Sequence, residues 1–243
     1  MRSLFTLSFL LLFSSHLFAQ SGGMTFTTQD RINFSGLIIP QTGVLFGVAG
    51  EAGKLIGDNY YDTTFQAGNI RFYGRIGAAD SLGGIPVRYD LITQEVEVRA
   101  GANDIRAAKA PTVRYFIMNN RLGGSNQFVN VREFRGEADG LVGFFEYVAA
   151  GKLSLLQRHS ITVKRANYNA ALNVGTKDDE LVKKREWFVG KNRQALKFSP
   201  SKKALLELMA DQQPAIEAYL KDKKPDLKKE SGLAAVFAYY NSL

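Results

Sequence analysis

Few side chains in this sequence are able to perform nucleophilic or acid–base chemistry. The chain has no cysteine, which excludes thiol nucleophiles, thiolate zinc sites and disulfides. Its two histidines are His16 and His159. Because His16 lies in an N-terminal segment that we predict is removed, His159 is the only imidazole expected in the mature protein. A histidine-rich metal site is therefore excluded, and a Ser-His-Asp triad would have to use His159.

His159 follows Arg158 in a predicted strand, and the sequence contains no G-x-S-x-G motif. A lone histidine on a strand is usually a structural or solvent-facing residue. The sequence also has no phosphate-binding loop of the G-x-x-x-x-G-K-[ST] type. We therefore predict no catalytic residue, no metal site and no cofactor.

Carboxylate chemistry is the alternative that the composition leaves open. Hydrolysis of a glycan needs only two acids placed across a sugar, and the chain has 23 Asp and Glu, although no spacing picks out a pair. Asp58-Asn59 with Asp62, and Asp178–Glu180, carry oxygen ligands of the kind that calcium prefers. Neither segment has EF-hand spacing, so we expect ordinary polar loops. Asp90 is expected to accept hydrogen bonds from turn amides where a strand ends.

The charge is unevenly distributed along the chain. Residues 20–151 contain 12 Lys and Arg against 13 Asp and Glu, whereas residues 152–243 contain 18 against 10. Scattered acids among these lysines favour a solvated helical face, and the alternative is contact with an anionic surface. The candidate contact residues are Lys202, Lys203, Lys221, Lys223, Lys224, Lys228 and Lys229.

The N-terminus is typical of a secretory signal peptide. Arg2 precedes an apolar run, Leu4–Phe13, and small residues lead to Ala19. The run is about half of the ~20 residues that a bilayer span needs. We predict cleavage after Ala19, export across the inner membrane to the periplasm or outer surface, and no transmembrane segment in the mature chain. Despite a sequence pI near 9.6, this location argues against a nucleic-acid partner, and none is predicted.

The elements that position these residues are predicted to be mainly β. The stretch Gly68–Arg99 predicts an antiparallel meander of three strands, with turn residues between the first two supplied by the glycines and by Asp80-Ser81. Turn signals recur every ~8–15 residues as far as Phe198, which indicates an antiparallel β-sandwich or open barrel over residues 20–198. Ala100–Pro111 is predicted to be a loop. Further strands are predicted at Arg31–Val48 (a pair), Thr112–Met118, Gln127–Phe134, Leu141–Val148, Lys152–Val163, Arg185–Val189 and Ala195–Phe198.

The pattern changes to helical over residues 199–243. Ser199 is the predicted cap and Pro200 the first helical residue, and a second helix is predicted to begin near Pro214. A third helix is predicted from apolar residues at spacing i, i+3, i+4 and i+7. Because such short helices are marginal alone, we expect a three-helix segment that caps the β layer. The apolar residues of the third helix are Leu233, Val236, Phe237 and Tyr240.

Several short motifs suggest a family. They are a signal ending in Phe18-Ala19-Gln20, the strand end Val87–Asp90 followed by Val96–Val98, the hairpin Phe145–Leu156, and a Lys-rich tail closing on Tyr239–Asn241. In these features the chain resembles secreted β-rich proteins of Bacteroidetes-type Gram-negative bacteria, a family without an assigned activity. The resemblance implies an envelope setting and a β-rich body with a helical end.

These observations predict a non-enzymatic binding or structural module of the cell envelope, whose partner is an unknown envelope protein or glycan. The first alternative is a carboxylate-based hydrolase acting on a glycan. The second is docking on an anionic surface through the Lys-rich C-terminal segment.

Overall fold

The computed structural model describes residues 53–77, 79–169 and 172–243. In these ranges twelve strands form one mostly antiparallel sheet that does not close on itself, and three α-helices follow. The predicted fold class, mainly β with three C-terminal helices, is confirmed. The predicted signal peptide and the predicted strand pair at Arg31–Val48 lie outside the described residues.

Within the described ranges, all strands precede the three α-helices. The strands are β1 (Leu55–Ile56), β2 (Gln66–Ile76), β3 (Ala79–Asp90), β4 (Glu95–Arg99), β5 (Ile105–Ala108), β6 (Val113–Asn119), β7 (Ser125–Asn130), β8 (Arg135–Gly136), β9 (Phe144–Ala149), β10 (Ser154–Lys164), β11 (Asp179–Lys191) and β12 (Gln194–Phe198). The helices are α1 (Lys202–Leu208), α2 (Gln213–Lys223) and α3 (Glu230–Ser242).

The order across the sheet is β5-β4-β3-β2-β6-β7-β9-β10-β11-β12-β8, and β1 lies alongside β11. Two short pairs, β1 with β11 and β8 with β12, are parallel, and the other pairs are antiparallel. No helix in the described ranges combines the length and the apolar character that a bilayer span requires.

The predicted meander is present, but its first turn comes earlier than predicted. Gly77 has a φ of 65°, in the left-handed region that glycine adopts readily, and β3 already begins at Ala79. Ser81 pairs with Arg71 of β2, and Arg71 Nη2 lies 2.7 Å from Asp80 Oδ2. The glycine part of the predicted turn is confirmed at Gly77, whereas Asp80-Ser81 is wrong as a turn, because both residues lie within β3.

Two strands extend into regions predicted to be irregular. β5 occupies Ile105–Ala108 within the predicted loop, and its residues are mostly exposed, so no apolar alternation marks it. β11 begins at Asp179 rather than at Arg185, because its polar first half pairs with the second half of β10, from His159 to Lys164. Pairing with a neighbouring strand, rather than burial, defines both segments.

Two boundaries are set by side-chain caps. β7 ends at Asn130, whose side chain accepts a hydrogen bond from the Arg132 N–H and begins a 3-10 turn, so the predicted strand to Phe134 is too long. Helix α1 is capped by Ser201, whose Oγ accepts a hydrogen bond from the Ala204 N–H at 3.1 Å. The predicted cap at Ser199 is wrong by two residues, within the usual uncertainty of about that size for helix ends.

A cluster of aromatic side chains forms the core on one face of the sheet, which we call the inner face. Tyr89, Phe116, Phe128 and Phe144 come from four different strands and are fully buried. The Phe116 and Phe128 rings stack with centroids 4.6 Å apart, and Phe144 meets Phe116 edge-on at 5.0 Å. Such aromatic pairs stabilise a fold beyond the area they bury.

The helices cover the same inner face farther along the sheet. Leu155 of β10 packs against the helices, while Ile161, on the same side of β10, packs against the aromatic core. The predicted apolar stripe of α3 is confirmed, because all four of its residues are buried in this contact: Leu233, Val236, Phe237 and Tyr240.

Asn241 fixes the end of α3 to the hairpin that joins β9 and β10. Its Oδ1 accepts a hydrogen bond from the Leu153 N–H at 3.0 Å, and its Nδ2 donates to the Leu153 carbonyl at 2.9 Å. A Cβ on Gly151 would collide with the Asn241 side chain, so the hairpin needs glycine at this position. The helical segment and the sheet are therefore one folded unit.

A smaller apolar cluster lies on the opposite face, which we call the outer face. Phe145, Leu156 and Phe188 of β9, β10 and β11 pack there against Phe134 and Ala138. Adjacent residues of β9 thus serve different clusters, since Phe144 belongs to the inner core and Phe145 to the outer one.

Candidate functional site

Four polar side chains meet on the inner face, next to the aromatic core. They are Tyr61, Asn126 of β7, Glu146 of β9 and His159 of β10, and we call them the buried network. Glu146 Oε2 lies 2.6 Å from His159 Nε2, and Glu146 Oε1 accepts a hydrogen bond from the Tyr61 hydroxyl at 3.0 Å. Asn126 Nδ2 donates both to Glu146 Oε1 and to the Tyr61 oxygen.

Tyr61 is brought to this place by the segment that runs from β1 to β2. Its N–H donates to the Tyr89 carbonyl at 2.9 Å, and the Leu91 N–H donates to the Asn59 carbonyl at 2.7 Å. The Tyr61 ring then meets the rings of Phe128 and His159 edge-on, at 5.0 and 4.8 Å. Backbone pairing with β3 therefore holds the phenol against the carboxylate.

The network keeps the Glu146 carboxyl ionised in a buried place. Burial by itself raises the pKa of Glu146, but hydrogen bonding and electrostatic attraction from His159, with further hydrogen bonds from Asn126 and Tyr61, hold that pKa below its ordinary value. Burial and the nearby Glu146 charge raise the pKa of the Tyr61 hydroxyl, so it remains a donor.

Gln157 is the direct register partner of Glu146 and lies two residues before His159. It is 1% exposed, and no described residue hydrogen-bonds its side-chain amide. An unsatisfied buried amide costs about 1–3 kcal/mol. The inner face therefore holds one fully satisfied carboxylate beside one unsatisfied amide.

This arrangement fits a structural role for His159 better than a catalytic one. The carboxylate and the imidazole bind each other, and within the described chain no hydrogen bond joins His159 to a serine or to a second acid. Both side chains are buried, at 4% exposure for Glu146 and 10% for His159. A general base must come within hydrogen-bond reach of a proton on a substrate. Two buried side chains that bind each other are not placed to do this.

A second polar site lies on the outer face, where several turns of the chain meet. It is a cleft of about 380 Å³ between the start of β6, the β9–β10 hairpin, the β11–β12 hairpin and the turn after β7. We call it the cationic cleft. Four cations contribute to its lining against one carboxylate: Arg114, Lys152, Lys191 and Arg193 against Glu133.

Glu133 holds the two arginines loosely. Arg114 Nε lies 3.6 Å from Glu133 Oε1, and Arg193 Nη2 lies 3.9 Å from Oε2. Burial and the charge of Glu133 raise the pKa of Tyr147, which lines the cleft and is half-buried, so its hydroxyl is a donor. The cleft therefore presents donors and positive charge.

The lysines predicted to contact an anionic surface belong to three separate segments of the helical region. Four of the seven lie near an acid, and Lys202 Nζ, for example, is 3.5 Å from Glu217. The other three contacts join Lys203 to Glu207, Lys223 to Asp222 and Lys229 to Asp226. Lys223 and Lys224 end helix α2, where cations are favourable for the helix itself.

The two acidic segments considered for calcium are used internally. Asp58 pairs with Lys183 at 2.8 Å, and Asp62 with Arg121 at 2.6 Å. Asp178 accepts a hydrogen bond from the Lys54 N–H, and Asp179 pairs with Arg165. The described residues hold no group of three or more potential His, Cys, Asp or Glu metal ligands.

The role predicted for Asp90 is confirmed. Asp90 ends β3, and its Oδ1 accepts hydrogen bonds from the N–H groups of Ile92 and Thr93 at 2.7 and 3.1 Å. No comparable signal in the sequence marks Glu146, except that it shares the period-two phase of Phe144. Nothing in the local sequence indicates that Arg114 and Arg193 both lie beside Glu133.

No family model, curated protein or solved structure matches this chain. The resemblance to secreted proteins of Bacteroidetes-type bacteria therefore stays a prediction, and the function rests on the chain's own geometry.

Proposed function

We propose that this protein is a non-enzymatic binding module exported to the cell envelope, and that its ligand binds in the cationic cleft. One observation carries the proposal. The groups suited to acid–base chemistry, Glu146 and His159, bind each other inside the fold, whereas the open cleft is lined by groups that hold a ligand by charge and hydrogen bonds.

The fold supports this division. Turns and strand ends build the cleft, and functional residues on loops above a rigid sheet are a common arrangement for binding. Its one carboxylate among the described lining residues, Glu133, faces two arginines, so it is a counter-charge rather than one of a pair of acids across a sugar.

The test measures binding and turnover on the same sample of the mature chain, residues 20–243. A panel of neutral and anionic glycans is incubated with the protein, bound ligand is measured by calorimetry, and products by mass spectrometry. We expect binding of anionic members without any product. Turnover that disappears in Glu146→Gln or Glu133→Gln would replace this proposal with the hydrolase.

A further inference from the structure

We propose that the cationic cleft is a binding site for a phosphate monoester carried on a sugar-sized group, with Arg193 as the residue that determines this specificity. The inference rests on the proposed function, since it names the ligand class of the same cleft. Four observations carry it: the charge of the lining, the state of the two arginines, the turn that bears Arg193, and the size of the cleft.

The charge of the lining matches a doubly charged ligand. Arg114, Lys152, Lys191 and Arg193 oppose Glu133 alone, so the lining has a formal net charge of +3. A phosphate monoester has a charge of about −1.5 to −2 near neutral pH and three strong acceptor oxygens. A single carboxylate would leave more of the positive charge uncompensated.

Arg193 Nε donates a long hydrogen bond of 3.4 Å to the Glu133 backbone carbonyl, and the terminal nitrogens of the guanidinium groups remain available to a ligand. Their distances to the Glu133 carboxylate, 3.6 and 3.9 Å, exceed the roughly 2.7–2.9 Å of a charge-assisted hydrogen bond. An incoming oxyanion can therefore bind the planar donor fork without breaking a tight ion pair. Arginine is favoured at phosphate sites because this fork matches two oxygens at once.

The lysines add charge from two other sides of the cleft. Lys152 Nζ lies 4.5 Å from the centre of the Tyr240 ring of helix α3, so the ammonium has no counter-charge there but must leave this cation–π contact to bind a ligand in the cleft. No carboxylate of the described chain pairs with Lys152 or Lys191. Both side chains are exposed, so they are available as donors to the remaining phosphate oxygen.

The turn that carries Arg193 is unusual. Asn192 and Arg193 form a two-residue hairpin loop with φ values of 50° and 62°. A turn with positive φ at both positions favours Asn followed by Gly, because a side chain at the second position is strained there. Arginine stands where glycine suits the backbone better, and such local strain points to a function for the side chain.

The cleft is small. Its volume of about 380 Å³ is near the lower end of the roughly 300–1,000 Å³ found for small-molecule sites. Gly190 contributes to its floor, since a Cβ there would lie only 3.0 Å from the Phe134 ring and 3.1 Å from Leu156. A single sugar unit with its phosphate fits this space, and the Tyr147 hydroxyl is placed to donate to it.

The test titrates the mature chain with glucose 6-phosphate by calorimetry, with glucose, glucuronate and inorganic phosphate as separate probes. We expect the sugar phosphate to bind most tightly, inorganic phosphate and glucuronate at least about tenfold more weakly, and glucose not measurably. Affinity should fall as salt is raised, as it does for exposed charges. Equal binding of glucose, or no binding of glucose 6-phosphate, would overturn the inference.

Arg193→Gly separates a ligand role from a structural one. We expect its affinity for glucose 6-phosphate to fall at least about tenfold, because a charge-assisted fork is lost. Its melting temperature should stay unchanged or rise, because glycine relaxes the turn. A lower melting temperature with unchanged affinity would show that Arg193 only supports the turn after β7, and would overturn the inference.

Arg106→Ala on β5 is the matched control, because it removes the same charge from an exposed hairpin at the other end of the strand order. We expect wild-type affinity in this variant. Release of inorganic phosphate from glucose 6-phosphate would contradict the proposed non-enzymatic function, but it would not contradict a phosphate-binding site in the cleft. If the cleft did not prefer glucose 6-phosphate over the other probes and no turnover occurred, only the phosphate site would be contradicted.

Discussion

The buried network and the cationic cleft are built on the two faces of the same strands. Glu146 and Tyr147 are neighbours on β9, yet the first points to the inner face and the second to the outer one. On the inner face each charge has a close partner and little contact with water. In the cationic cleft the charges are mostly of one sign, loosely paired and exposed. A charge with a close partner inside the protein stabilises the fold, whereas a charge without such a partner is available to bind a ligand.

Replacing Glu146 is expected to have the largest effect on stability. Glu146→Ala leaves His159, Tyr61 and Asn126 without their common partner, and breaking a buried charge pair costs about 3–5 kcal/mol. The free energy of unfolding in urea measures this loss.

Glu180→Ala is the control, because its carboxylate is 54% exposed and lies 3.5 Å from Lys164. Exposed pairs of this kind contribute about 0–1 kcal/mol. A loss of less than about 1 kcal/mol in Glu146→Ala would mean that the network does not stabilise the fold as a buried pair does.

The stability should also depend on pH through Glu146. Because the pKa of this carboxyl is lowered in the folded protein from its ordinary 4.5, its contribution is fully present above that pH. The contribution is lost as the pH falls through the lower, folded value. The difference in unfolding free energy between the wild type and Glu146→Gln should therefore shrink toward low pH. A constant difference from about pH 7 to 3 would contradict this linkage.

The buried network was only partly predictable from the sequence. Strands β9 and β10 and their hairpin follow from apolar alternation and the link at Gly151, and the same pattern predicts a strand at His159. The pairing of Glu146 with His159 does not follow, because it depends on a register that one sequence does not encode locally. The contribution of Tyr61 is harder still to predict, since Tyr61 reaches the inner face from a loop of mixed composition between β1 and β2.

The cleft was not predictable for a related reason. Arg114, Lys152 and Arg193 are far apart in the chain, and each looks like an ordinary exposed cation. Only the sheet order, which sets β7 and β9 between β6 and β10, brings their turns together. The helix α3, by contrast, follows from the local spacing of Leu233 to Tyr240, which is why its apolar face was predicted correctly.

Replacing Gln157, unlike replacing its neighbour Glu146 on the inner face, is expected to stabilise the fold. Gln157→Met keeps the size and flexibility of the side chain but removes its two unsatisfied polar atoms. We expect the free energy of unfolding to rise by about 1 kcal/mol, measured in urea. A loss of stability would show that the amide is satisfied in solution, and that both polar neighbours support the fold alike.

The smallest effect is expected from lysines of the helical segment. Lys221, Lys224 and Lys228 are exposed, and changing all three to Gln should alter the unfolding free energy by less than about 1 kcal/mol. Affinity for glucose 6-phosphate should remain within about twofold of wild type.

This variant also decides the alternative of docking through the Lys-rich segment. Deleting residues 199–243 would not test it, because the helices bury core residues such as Phe237 and Leu205 against the sheet. A steep loss of anion binding in the triple lysine variant would show that the binding surface lies on the helices and not in the cleft.

The separation of the two faces is tested most directly by titrating Glu146→Gln with glucose 6-phosphate, at a temperature where its near-ultraviolet circular dichroism shows a folded protein. We expect an affinity within about twofold of wild type, because the substitution is confined to the inner face. Binding weakened by about tenfold or more in the folded variant would contradict this separation, since the buried network would then serve the ligand as well as the fold.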